Sequence, residues 1–180
     1  MSRIGKKPVA IPDKVSVETK GRTIHVKGPK GELSWDWPDK MKVSVNDGIV
    51  SVERSGDTKN ERALHGLTRS LIFNMVFGVS QGYQKVLDIT GVGYKAQAAG
   101  DKIVLTLGYS HPIEFQLPEG IKASVDPKQI QITLTGIDRQ KIGQVAASLR
   151  TLRPPDAYKG KGIRFAGERL KLKVGKAGKK

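Results

Sequence analysis

Cations interleaved with glycine and short apolar residues mark the stretch of this sequence with an evident chemistry. Tyr158-Lys159-Gly160-Lys161-Gly162-Ile163-Arg164 alternates positive side chains with glycine. Glycine carries no Cβ, so a second backbone can approach closely while ammonium and guanidinium groups neutralise it. A polyanion with regularly spaced phosphates is the matching ligand. A few residues on, Arg169, Lys171 and Lys173 alternate with Leu170, Leu172 and Val174. Read as a strand, this run puts three cations on one face and three apolar side chains on the other, one to meet phosphate and one to seal a core. Arg153, Lys176, Lys179 and Lys180 extend the basic tract, and Arg3, Lys6 and Lys7 form a smaller one at the other end.

The charge map makes these ends distinctive. The 180 residues hold 32 Lys plus Arg against 17 Asp plus Glu, a net +15. Residues 150–180 contain eleven basic residues and two acidic ones, Asp156 and Glu168, and so hold +9 of that excess. The first seven residues add +3, and the long middle, with 18 basic and 15 acidic residues, contributes only +3. A run without compensating acids repels itself and favours a polyanionic partner. Phosphate contacts position a protein without reading sequence. Tyr158 and Phe165 are the only aromatics of the basic segment, too few for binding single strands by stacking. A structured RNA recognised by shape and backbone fits this composition, with duplex DNA as the alternative partner.

Other chemistries find less support. There is no cysteine, so disulfides, zinc ribbons and thiol catalysis are excluded, and His25, His65 and His111 are too scattered for a local metal site. Gly91-Val92-Gly93-Tyr94-Lys95-Ala96 follows an apolar run, Val86 to Thr90, and loosely matches a dinucleotide fingerprint. That motif needs a helix next, with its N-terminus facing a pyrophosphate, and the Gly100-Asp101 turn comes too soon. A bulge or a close backbone approach within a strand explains the glycine pair instead. No Gly-Lys-Ser or Gly-Lys-Thr is present, and Gly28-Pro29-Lys30-Gly31 reads as a hairpin turn. His65 near Glu61 and His111 near Glu114 read as surface pairs with no nucleophile at a fixed spacing. No catalytic constellation emerges, and no cofactor is expected; a nucleotide-dependent enzyme built on the Gly91 segment stands only as a remote alternative. The most apolar run, Leu71 to Val79, is interrupted by Asn74 and far shorter than the roughly 20 residues of a membrane span. With no secretory leader pattern at Met1 to Pro8, the expectation is a cytoplasmic chain with no membrane partner.

The elements that must hold these ends read as one unit repeated. Ile24 and Val26 alternate with polar neighbours, Gly28 to Gly31 turns the chain, and Glu32 to Trp37 returns before Pro38. Met41-Lys42-Val43-Ser44-Val45 and Ile49 to Val52 flank Asn46-Asp47-Gly48, a hairpin signal. Thr58 with Glu61 predicts a capping box, followed by a helix with an inner stripe of Leu64, Leu67, Leu71, Met75 and Val79, bounded by Gly78 and Gly82. About 80 residues later the pattern recurs, each half being small for a core of its own. Gly100 to Ile103 answers Gly21 to Ile24, Leu117-Pro118 answers Trp37-Pro38, and Ile121, Ala123 and Val125 repeat the phase of Met41, Val43 and Val45. Ile130 and Ile132 answer Val50 and Val52. Asp138 would cap a second helix with Ile142, Val145, Leu149 and Leu152 inward, ended by Pro154-Pro155. The predicted class is α+β: two tandem copies of a small sheet-plus-one-helix domain, arisen by internal duplication and joined near Tyr83 to Val86. The expected boundaries are residues 1–82, with a basic N-terminal arm, and residues 83–180, with a basic C-terminal tail.

Pro155-Asp156-Ala157-Tyr158-Lys159-Gly160-Lys161-Gly162-Ile163 resembles the signature segment of the bacterial large-subunit ribosomal protein L-six family. The likeness covers essentially the whole chain. Ser2 to Lys6 with Pro8 and Ile11-Pro12, then Gly91 to Ala96, then Leu107-Gly108-Tyr109-Ser110-His111-Pro112 resemble segments of that family in the same order. Ala157 stands where the family often has proline. The resemblance implies two duplicated domains and a non-enzymatic role: binding 23S rRNA near the sarcin–ricin loop and the stalk base, where elongation factors dock. It also implies neighbouring large-subunit proteins as partners, no homo-oligomer, and a C-terminal domain and tail that make the main RNA contacts.

Overall fold

A computed structural model describes residues 3–175 of the chain. Contacts divide it into two compact units, one running to Gly82 and including Ile137–Arg139, the other holding Tyr83–Gly136 and the chain from Gln140 onward.

The first unit begins with β1 (Val9–Ala10), β2 (Ser16–Lys20), β3 (Thr23–Gly28) and β4 (Gly31–Asp36), followed by β5 (Met41–Asn46), β6 (Ile49–Arg54) and α1 (Lys59–Ser80). Its strands form two antiparallel three-stranded sheets, ordered β2-β3-β4 and β1-β6-β5. Asn46 pairs with Ile49 across a two-residue turn in which Asp47 and Gly48 both have positive φ, the conformation whose twist matches the flanking strands. Alternation decides which faces are apolar: Ile24 and Val26 are buried from β3, and Val50 and Val52 from β6. Ile72, Met75, Val76 and Val79 of α1 pack onto them with Trp37 and Met41. Each such side chain, fully buried, contributes about 1.5–3 kcal/mol.

The capping box is present. The Thr58 hydroxyl accepts from Glu61 N–H at 3.3 Å, and the Glu61 carboxylate accepts from Thr58 N–H at 3.0 Å. The buried face of α1 differs from the leucine stripe. Leu67 is half exposed and Leu64 and Leu71 are only partly buried, whereas Glu61, His65, Thr68, Ile72, Met75, Val76 and Val79 point inward. Two of the three polar members, Glu61 and His65, are satisfied there, whereas the buried Thr68 hydroxyl has no hydrogen-bond partner among the described residues. His65 Nε2 meets Val52 O at 2.9 Å and its Nδ1 meets the Arg54 guanidinium at 2.9 Å. His65 and Glu61 are therefore two buried, separately satisfied groups and no surface pair. Gly78 lies inside the helix, which ends at Ser80 with Gln81 as its C-cap.

The second unit repeats the plan. It holds β7 (Tyr83–Thr90), β8 (Lys95–Ala99), β9 (Lys102–Thr106), β10 (Ile113–Gln116), β11 (Ile121–Val125), β12 (Gln131–Gly136), α2 (Arg139–Leu152) and β13 (Gly162–Phe165). Its sheets are β8-β9-β10 and β11-β12-β7-β13, all antiparallel. Ile142, Val145, Ala146 and Leu149 of α2 cover Leu87, Leu105, Ile132, Leu134 and Ile163. The chain passes from the first unit into the second at Tyr83, and Tyr83 to Val86 already belongs to β7. Ile130 lies outside β12 and is exposed. Two internal copies of a sheet-plus-helix α+β plan are thus visible, the second with an added strand.

Candidate nucleic-acid interface

The basic segment of the second unit is built from its backbone outward. After α2 the chain forms a loop closed on itself: Asp156 N–H donates to Lys161 O at 2.9 Å, and Gly160 N–H donates to Asp156 O at 3.0 Å. The Asp156 carboxylate accepts from Lys159 N–H at 2.8 Å and Tyr158 N–H at 3.2 Å. Those backbone donors, that of Lys159 foremost, hold its pKa below the usual carboxylate range, with the nearby Lys159 charge assisting. One of the two acids in the basic tract is thereby spent on loop geometry. The other, Glu168, accepts from Phe165 N–H at 3.1 Å and pairs with Arg150 at 2.7 Å. Its pKa is lowered chiefly by that backbone N–H and then by Arg150.

This leaves the exposed cations uncompensated. Lys159, Lys161, Arg169, Lys171 and Lys173 are exposed, and among the described residues none of them has an ion-pair partner. Arg164 is different: it is half-buried on β13, 3.9 Å from Asp88. Arg153 is half-buried too, its guanidinium 5.0 Å above the Tyr109 ring. Tyr158 is exposed at the loop tip.

The glycines serve the chain itself. A Cβ on Gly162 would lie 2.6 Å from Pro154 O and 2.7 Å from Arg153 O, where β13 crosses the end of α2. Gly160 is buried, with Leu170 and Leu172 over it. The close approach that each permits is to neighbouring backbone or side chains of this same unit. The run from Arg169 to Val174 is not a strand. It follows β13 as an extended segment without ladder partners, tied by Lys173 N–H to Ala157 O at 2.8 Å. Leu172 and Val174 are exposed, so this run does not seal the core; Ile163 and Phe165 of β13 do. A ladder needs a free edge, and β7 offers its edge to residues 162–165.

Arg3, Lys6 and Lys7 belong to the first unit and are exposed around Gly5, which rests against the His65 ring. The Arg69 guanidinium ties this arm to α1 through Lys7 O at 3.1 Å. Lys176, Lys179 and Lys180 lie outside the described residues. In the sequence, Asp156 and Glu168 stand out only as charges. The signal for their structural role was available in their company: an aspartate just ahead of Tyr158 and Lys159 is placed to accept their N–H groups. Gly91 to Gly93 form a turn between β7 and β8 and no bulge inside a strand. Among the described residues no group of acids and histidines is placed to hold a metal ion, and no helix is long and apolar enough to cross a membrane.

The family model described as ribosomal protein L6 matches residues 11–82 and again 90–166, one match in each unit. The chain belongs to the ribosomal protein L6 family. A protein of Thermodesulfovibrio yellowstonii named large ribosomal subunit protein uL6 is 61% identical over 180 residues, covering all of both chains. Proteins of the same name from Koribacter versatilis and Picosynechococcus sp. are 55% and 51% identical, again over the full length of each. An L6 protein is a structural, non-enzymatic part of the ribosome, and the remote enzyme reading of the Gly91 segment falls with that membership.

Proposed function

We propose that this L6 protein binds 23S rRNA in the large subunit through the phosphate-facing segment of its second unit. The site lies near the sarcin–ricin loop and stalk base, beside neighbouring subunit proteins and within reach of docking elongation factors. One observation carries the phosphate part: five exposed cations, Lys159 and Lys161 on the loop before β13 and Arg169, Lys171 and Lys173 on the segment after it, stand beside acids that are already engaged. Backbone hydrogen bonds within the loop, and from Lys173 N–H to Ala157 O, tie these two stretches together, which lowers the ordering cost of meeting a duplex backbone. Arg164 supports β13, with Arg153 and Tyr158 flanking the charged face. Arg3, Lys6 and Lys7, with Lys176, Lys179 and Lys180, supply further basic groups. The placement near the sarcin–ricin loop and the stalk base rests on the family resemblance.

The test is a salt titration of the full chain on a 23S rRNA fragment containing the sarcin–ricin stem. Lys159→Gln and Lys171→Gln should each weaken binding and reduce the slope of log K against log salt by about 1. Deleting the segment would be uninformative, because residues 162–165 are part of the sheet. Equal affinity for duplex DNA of matched length, or slopes unchanged in both variants, would overturn the proposal.

A further inference from the structure

A cavity of about 350 Å³ lies beside the cationic loop, lined by Tyr94, Tyr109, Arg153, Pro154, Asp156 and Lys161. Its walls are unusually well fixed for a surface hollow. The Tyr94 ring bears on two turns at once. A Cβ on Gly91 would sit 2.7 Å from its Cδ2, and one on Gly108, where φ is +76°, would sit 3.0 Å from its Cε1. The Gly91-Val92-Gly93-Tyr94 and Leu107-Gly108-Tyr109 segments therefore share a purpose: they seat an aromatic ring where side-chain-bearing neighbours would clash. Tyr109 is anchored by its hydroxyl, which donates to Leu152 O at 3.0 Å, yet 41% of the residue remains exposed. Over its ring lies the Arg153 guanidinium, 5.0 Å from the centroid. Hydrogen bonding to the phenolic oxygens of Tyr109 and then Tyr94 keeps Arg153 firmly charged.

This is a hollow with planar, polarisable walls and a cation at its mouth. Neither a phosphate alone nor an aliphatic side chain uses such walls. An unstacked base does: it has a π-face for tyrosine or guanidinium, and its edge can meet fixed polar groups such as Asp156. Lys161, lining the same hollow, sits where the phosphate attached to such a base would pass. We infer that the Tyr94–Tyr109–Arg153 hollow receives a single extrahelical RNA base, stacked against the aromatic and guanidinium planes, while the adjoining lysines hold the phosphates on either side. The inference rests on the RNA-binding reading above and adds a base contact to it. It revises the expectation that the few aromatics of the basic segment leave no room for stacking, because Tyr94 and Tyr109 come from elsewhere in the sequence.

The test compares footprints of the full chain and its variants on 23S rRNA. Base-selective reagents (dimethyl sulfate and carbodiimide) report on base edges, and hydroxyl radicals report on the sugar–phosphate backbone. The wild-type chain should protect at least one unpaired base within its backbone footprint. Tyr109→Leu should restore that base to at least half its free reactivity while leaving the backbone footprint in place. Tyr109→Phe, which keeps the ring and loses only the hydroxyl's bonds, to Leu152 O and with Arg153, should retain the base protection. A base pattern identical in wild type and Tyr109→Leu, with the backbone footprint intact, refutes the base pocket and leaves the phosphate reading standing. A wild-type chain with no backbone footprint on 23S rRNA refutes both. Should Tyr109→Leu fail to fold, Arg153→Met reads the same wall, with the same two outcomes.

Discussion

Gly162→Ala is the sharpest probe of how the loop is held. The added methyl would meet backbone oxygens of Pro154 and Arg153 at 2.6 and 2.7 Å, with φ at +145°. These obstacles are main-chain atoms where α2 gives way to β13, and Ile163 N–H donates to Arg153 O at 2.8 Å. Neither side can swing away as a flexible side chain would. Relieving the clash costs about 1–3 kcal/mol by analogy with overpacked cores. The unfavourable backbone conformation adds about 1–3 kcal/mol, and the lower entropy of an unfolded alanine offsets about 0.4–1 kcal/mol. The expected net loss is about 3 kcal/mol, a large share of the roughly 5–15 kcal/mol that holds a domain together. Gly167→Ala is the matched control: φ is +79° but nothing lies within 4 Å of its Cβ, so only the conformational cost remains, about 1 kcal/mol. All four tyrosines lie in the second unit and both tryptophans in the first. Urea unfolding followed through 3-fluorotyrosine resonances therefore reads the second unit. If the two variants unfold within about 0.5 kcal/mol of each other, the claim that Gly162 is sterically required is wrong.

Asp156→Ala should destabilise the cationic loop in a pH-dependent way. The folded-state pKa of Asp156 is lowered, so its stabilisation is present above the ordinary aspartate value of about 4 and is lost as pH falls through the lowered folded value. Hydrogen exchange of Tyr158 and Lys159 amides, followed from pH 7 down into acid, should show a gap between variant and wild type that narrows as Asp156 becomes protonated. In the first unit, Thr58→Ala removes one half of the capping box and should cost about 1 kcal/mol in urea unfolding followed by tryptophan fluorescence. An unchanged midpoint would mean that water replaces the hydroxyl at no cost.

Features encoded locally were legible from the sequence. Asn46-Asp47-Gly48 specifies its turn through the backbone freedom of two residues, and Thr58 with Glu61 specifies a helix start within four. The phase of α1 was not legible, because hydrophobicity alone selects Leu67 over His65. Only the tertiary partners Val52 O and Arg54 make His65 an inward residue. The same limit applies at the other end of the chain. Arg169 to Val174 alternates better than Gly162 to Phe165, yet strand formation depends on the edge of β7, distant in sequence. The cations of the candidate site could be read as charges, since exposure and the absence of acids are visible in composition. The aromatic hollow could not, because Tyr94, Tyr109 and Arg153 are assembled by three turns that composition does not connect.

The extra strand β13 has a bearing on how the protein matures. In the first unit, the strand corresponding to β7 is β1, to whose free side no strand is added among the described residues; in the second, Gly162 to Phe165 completes the sheet against Thr90 to Leu87. During synthesis the first unit has all its strands and its helix once Gly82 has emerged. The second must wait for nearly its whole length before its longest-range pairing can form, a topology that slows folding. The charged loop lies between α2 and β13, so its geometry is set only when that last pairing closes. A chain interrupted before Gly162 would carry Lys159 and Lys161 without the frame that aims them. The proposed phosphate-binding geometry would thus double as a certificate that the second unit has finished folding.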